Sequence, residues 1–133
     1  MTDVAYGYSR NLGKLNFEDA KARVVRALKN HGFGVLTEID VQSTLKNKLD
    51  VAFRNYMILG ACNPPLAHKS LSSELMIGLL LPCNVILFEE DDGSVTASAI
   101  NPREMFKVVN NPELQAVAGE VDAKLRAVIE SIE

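Results

Sequence analysis

The chain reads as an α+β fold, an antiparallel sheet with helices packed mainly on one of its faces. Three observations lead there. Short segments alternate apolar side chains with period two, as in Arg54 to Cys62, where Tyr56, Ile58, Gly60 and Cys62 fall on one face and Met57, Leu59 and Ala61 on the other. Two such segments flank the turn Asp91-Asp92-Gly93, which is a hairpin pattern. Helical patterns stand between the strands and close the chain, so the strands can pair as neighbours while the helices share a face.

Taken in order, Val4 to Leu12 is the first predicted strand, with Val4, Tyr6 and Tyr8 in step. The first helix starts at Asn16, a good N-cap, with Glu18 and Asp19 in its positively polarised first turn. Phe17, Ala20, Val24, Leu28 and His31 keep helical spacing, and Gly32 is a fitting stop. Phe33 to Ile39 is the second strand, with Phe33, Val35 and Thr37 opposed to Gly34, Leu36 and Glu38. Val41 to Leu49 is a short helix, and Arg54 to Cys62 the third strand. Pro64 and Pro65 open a further helix, where a missing N–H costs least, and it runs to about Leu75. The hairpin arms are Asn84 to Glu90 and Ser94 to Ile100; the small inward residues Ala97 and Ala99 leave room for a helix above them. From Asn111 and Pro112 to the end, Leu114, Val117, Val121, Leu125, Val128 and Ile132 form one apolar stripe.

A chain of 133 residues, 47% apolar, with no repeat or linker, is one domain, residues 1–133. A net charge of -3 argues against nucleic acid, which wants a basic stripe. Met1-Thr2-Asp3 lacks the start of a signal peptide, and the apolar stretch from Leu75 to Phe88 is interrupted by Pro82, so no membrane association is expected and the cytoplasm is the expected compartment. Two cysteines in a reducing compartment read as buried or reactive thiols rather than a bridge. An open sheet leaves edges and one uncovered face, which a homodimer would resolve.

Chemistry, if the chain has any, concentrates in Cys62-Asn63-Pro64-Pro65-Leu66-Ala67-His68 and Leu79-Leu80-Leu81-Pro82-Cys83. Cys62 precedes a helix start, where the dipole lowers a thiol pKa, which makes it the candidate reactive or ligand-binding atom. Buried packing as a small hydrophobe is the plainer alternative. His68 shares a helix side with Leu71 and Leu75, the side expected to face inward, where it would bond a backbone carbonyl or tune Cys62. Cys83 follows Pro82, which marks a bulge, strand start or edge. Cys62, Cys83 and His68 would make an incomplete metal set, completed by Glu38 or a second subunit, but no short Cys-x-x-Cys spacing supports it. The acidic run Glu89, Glu90, Asp91, Asp92 reads as a solvated turn, and no nucleophile elbow, phosphate loop or cofactor motif is present.

With these segments in view, the chain resembles a bacterial and archaeal family known as domain of unknown function (DUF) 302. The likeness rests on Gly32 to Asp40, Tyr56 to His68, Gly78 to Val85, and Ala99-Ile100-Asn101-Pro102 with Met105, and it spans nearly the whole chain. The resemblance implies a small TATA-binding-protein-like fold of β-α-β(n)-α arrangement and a homodimer, with no established reaction. Asn101 stands where the family pattern has Asp. Three functions follow from the residues. The first is a binding module holding a small ligand or metal near Cys62 and Cys83, with Cys62, His68, Cys83 and Glu38 as candidate contacts and Gly60, Ala97 and Ala99 as a small-residue lining. The second is a thiol redox or sulfur-transfer protein with Cys62 as nucleophile and Cys83 resolving. The third is a structural or interaction protein whose cysteines are merely packed.

Overall fold

A computed structural model describes residues 4–133; Met1, Thr2 and Asp3, on which the expectation about the chain's start rests, lie outside the described residues. Five strands form one antiparallel sheet in the order β1-β5-β4-β3-β2, with β1 at Gly7–Asn11, β2 at Gly34–Asp40, β3 at Tyr56–Cys62, β4 at Cys83–Glu89 and β5 at Val95–Ile100. The helices are α1 at Phe17–Asn30, α2 at Val41–Leu49, α3 at Pro64–Ser73, α4 at Pro102–Met105 and α5 at Pro112–Ser131. A 3-10 helix over Leu75–Leu80 links α3 to β4.

Asparagine side chains start four of these helices. Asn16 accepts from the Glu18 and Asp19 amides, Asn63 from Leu66, Asn101 from Arg103 and Glu104, and Asn111 from Glu113. Each satisfies donors that a helix start would leave unpaired. The helix at α4 and the 3-10 segment were not anticipated; Leu75 ends neither α3 nor a core stripe but begins a new turn after Glu74.

The main core lies between one sheet face and α1 with α5. Leu59, Val85, Leu87 and Ala97 from the sheet meet Val24, Leu28, Leu125 and Val128 from the helices, all of them fully buried. The stripe expected on α5 is inward throughout, and Ala97 and Ala99 are covered by helices as their size suggested. A smaller cluster, Ile77, Phe106, Leu114 and Ala118, forms where the 3-10 helix and the segment after α4 pack on the start of α5.

The opposite sheet face is the one turned away from α1 and α5. Register places Tyr56 beside Phe88, Ile58 beside Ile86 and Ile39 beside Ile58, while Ser98 and Ile100 extend the surface across β5. The Tyr56 and Phe88 rings stack with centroids 5.5 Å apart. Polar side chains share this face: Ser9 donates to Ser98, and at the hairpin end Glu90 accepts from the Thr96 hydroxyl.

In β2 the alternation expected from sequence breaks. Val35 pairs with Ala61 and Thr37 with Gly60, leaving Leu36 as the extra residue of a β-bulge. Phe33, Val35 and Thr37 therefore do not share a face. Opposite the bulge, Gly60 leaves no room for a side chain: an added Cβ would collide with Thr37 Oγ1 and lie 2.9 Å from Pro82 Cγ.

Candidate functional site

The seam between the two core clusters is incompletely filled. A cavity of about 290 Å³ lies there, lined by Phe33, Ala61, Leu66, Cys83, Val117 and Val121 from the main cluster and by Phe106 and Leu81 from the smaller one. Ala61, Ala67, Ser70 and Gly78 occupy wall positions where larger side chains would close the gap. Such a volume is at the lower end of the range for small-molecule sites. Half-buried Cys62 and Asn63, with exposed Leu36 and Leu71, stand at its opening. The bulge turns Leu36 toward this opening; a regular strand would have continued the pleat past it.

Both cysteines border the cavity, but they do not face each other. Ala61 pairs with Cys83, so Cys62 is its diagonal neighbour with the opposite pleat. No disulfide joins them. Cys83 is buried, and burial together with the neighbouring Cys62 charge pushes its thiol up to about 11.

The start of α3 differs from the sequence expectation in one chemical respect. Pro64 and Pro65 occupy its first two positions and have no N–H, while the Leu66 amide donates to Asn63 Oδ1 at 3.2 Å. The Ala67 amide closes the first helical bond on Asn63 O at 2.9 Å. The amides that would stabilise a thiolate or another anion at a helix start are thus missing or engaged.

Two of the four sequence-derived site residues are not at the cavity. His68 is exposed, as are Leu71 and Leu75, the latter at 84%. The face of α3 that turns inward carries Leu66 and Ser70 instead, because α3 packs against α5 on that side. Glu38 lies on the helix-covered side of β2 near its exposed edge and forms an ion pair with Lys21, whose pKa rises chiefly through that hydrogen bond. Gly60, Ala97 and Ala99, expected as a small-residue lining, are not in the cavity wall, where Ala61, Ala67 and Gly78 take that part. Among the described residues no three His, Cys, Asp or Glu side chains are grouped to hold a metal ion, so Cys62, Cys83 and His68 do not form the expected set.

The wall is almost wholly apolar, and its polar groups are largely committed. Ser70 Oγ donates to Leu66 O at 2.9 Å. Asn63 Oδ1 is taken by the cap, whereas its Nδ2, which lies over Gly32, has no acceptor among the described residues. Asn63, Phe33, Phe106 and the paired valines of α5 were not singled out from sequence; only the Asn-Pro-Pro run next to a cysteine pointed near them.

In the middle of α5, next to Val121, buried Asp122 accepts the Tyr8 hydroxyl and lies 3.3 Å from both Arg103 Nε and Arg126 Nε. Arg126 also stacks on the Tyr8 ring at 4.3 Å. This network ties β1, α4 and α5 together. No helix among the described residues is long and apolar enough to cross a membrane.

A five-stranded antiparallel sheet packed on one face by α1 and α5, with an apolar cavity bordered by two free thiols, defines a small α+β domain. Residues 8–132 match the family described as Domain of unknown function DUF302, and the chain belongs to that family. A crystal structure of a conserved DUF302 protein from Bacillus stearothermophilus superimposes with a TM-score of 0.88 at 26% identity, covering 98% of this chain and 100% of that one. An uncharacterized protein of Aquifex aeolicus (strain VF5) is 26% identical over 128 residues, 94% of this chain and 83% of its own length.

Proposed function

We propose that the protein is a small-ligand binding module whose site is the cavity beside Cys62 and Cys83. The observation that carries this is a volume of about 290 Å³ left open at the seam of a core that is otherwise closely packed. The pocket is open to solvent on the side of Leu36 and Leu71, and without an occupant its apolar wall lacks dispersion contacts with a partner. A ligand restores those contacts.

Two observations weigh against the thiols acting as nucleophile and resolving partner. Cys83, held near 11, supplies almost no thiolate at neutral pH. The helix start beside Cys62 lacks the free amides that activate such thiols. A metal reading is likewise weakened, because His68 and Glu38 stand away from the cysteines.

A second copy of the chain is the partner that suits the uncovered sheet face. That face carries Tyr56, Ile58, Ile86 and Phe88 beside the hydroxyls of Ser9 and Ser98, and a second copy seated on it would bury those four large side chains. The two free thiols support a reducing compartment, the cytoplasm.

Native mass spectrometry of freshly purified protein, with a thermal-shift screen, tests the binding reading. A compound retained in or added to the cavity at a hundredfold excess over its Kd raises stability by about 2.7 kcal/mol. The Ala67→Phe variant, which fills the cavity, abolishes the shift. A screen in which no apolar or polar compound raises the melting temperature defeats the reading.

A further inference from the structure

Resting on the reading of this cavity as a ligand site, we infer that its ligand is a hydrocarbon of about ten carbons ending in one hydrogen-bond acceptor, which Asn63 Nδ2 receives at the opening. The volume, about 290 Å³, is near twice that of the dry cavity of roughly 150 Å³ that takes one benzene. The depth of the cavity is formed by Phe33, Ala61, Leu66, Phe106, Val117 and Val121, all buried and all apolar. A hydrogen-bond acceptor at that depth would meet only the weak S–H donor of Cys83, because the Ser70 hydroxyl proton is already given to Leu66 O.

The opening has a different character. Cys62 and Asn63 are half-buried there, and Asn63 divides its amide between two tasks. Its oxygen caps α3 and fixes the side-chain orientation. Its nitrogen is left as a donor with no acceptor among the described residues, lying where the missing side chain of Gly32 leaves room. An oriented, unspent donor at the rim of an apolar cavity selects a ligand with an apolar body and an accepting end. Neither His68 nor Glu38 takes part, and the two prolines leave no helix amides to compete.

Isothermal titration calorimetry with sodium decanoate, decanol and sodium hexanoate tests the inference. Decanoate and decanol bind saturably, and hexanoate binds at least tenfold more weakly because fewer methylenes are buried. Asn63→Asp keeps the capping oxygen, and so the helix, but replaces the donor with a carboxylate. It weakens decanoate at least tenfold and changes decanol, which can donate, by less than threefold. Ala67→Leu, which fills the cavity from a half-buried wall position, weakens both. Equal binding of hexanoate and decanoate, or decanoate binding unchanged in Asn63→Asp, overturns the inference. If glucose or inorganic phosphate binds the cavity and the alkanoates do not, the inference falls while the binding-module reading stands. If neither class binds, both fall.

Discussion

Cys83 faces Ala61 across the β3–β4 ladder, which leaves Cys62 one residue out of step with the second thiol. The pair therefore shares a cavity wall without sharing a direction. One thiol lies at the opening and the other in the wall, and their chemical behaviour should separate accordingly.

Alkylation reads this separation directly. Iodoacetamide at pH 8 should give one adduct, at Cys62, and a second at Cys83 only when the protein unfolds; intact mass and peptide mapping check it. A native protein that takes both labels at similar rates would contradict the assigned burial of Cys83.

The raised Cys83 pKa also makes stability depend on pH. The folded value of about 11 exceeds the ordinary 9.0, so the folded state holds the proton more tightly. That contribution is full below pH 9 and is lost as pH rises toward 11. Its size is roughly 2–3 kcal/mol at 1.36 kcal/mol per pKa unit. Urea denaturation of the protein and of Cys83→Ala across this range should show the difference between them shrinking by that amount. Tyr8 and Tyr56, also raised by burial, titrate in both proteins and cancel in the comparison.

Gly60 is required by its neighbours. A Cβ there would collide with Thr37 Oγ1, so Gly60→Ala should cost about 1–3 kcal/mol through overpacking. Adding Thr37→Ala should recover part of the loss, with Pro82 Cγ accounting for what remains. Chemical denaturation of the single and double variants measures the coupling; strict additivity would remove Thr37 as the cause.

Asp122 gathers Tyr8, Arg103 and Arg126 at one buried carboxylate. Asp122→Ala should destabilise by about 2 kcal/mol, chiefly by leaving the Tyr8 hydroxyl without its acceptor. Tyr8→Phe should cost less, about 1 kcal/mol, because the carboxylate keeps both arginines. The arginines are more than half exposed and add little to this sum.

The uncovered sheet face gives the last prediction. Ile86→Lys places a charge at its centre, beside Ile58 and Ser98. Sedimentation velocity should show the wild type as a dimer and the variant as a monomer whose fold, by circular dichroism, is intact. A wild type that stays monomeric at tens of micromolar would exclude self-association through this face.

Much of the fold was legible because its signals are short-range. The helix at Val41–Leu49 begins and ends where the pattern placed it, and its start is capped by Asp40. Asn16 and Asn111 act as caps, and the α5 stripe from Leu114 to Ile132 is buried in full. Caps, stripes and turns depend on residues within four positions of one another, so local sequence suffices to read them. The face of α3 was misread because a ten-residue helix with Leu66 and Leu71 on different sides offers more than one apolar direction, and packing against α5 chose the one with Leu66 and Ser70.

By itself the sequence determined the α+β class, the order of the strands along the chain, the helix starts and the region in which both thiols would lie. Only the tertiary structure decided that β2 bulges at Leu36, that His68 and Glu38 turn away, and that a cavity opens between Phe33, Ala61, Phe106 and Val117. Those residues are far apart along the chain. An unfilled volume is a difference between packed surfaces that meet only after folding, and no single segment encodes it.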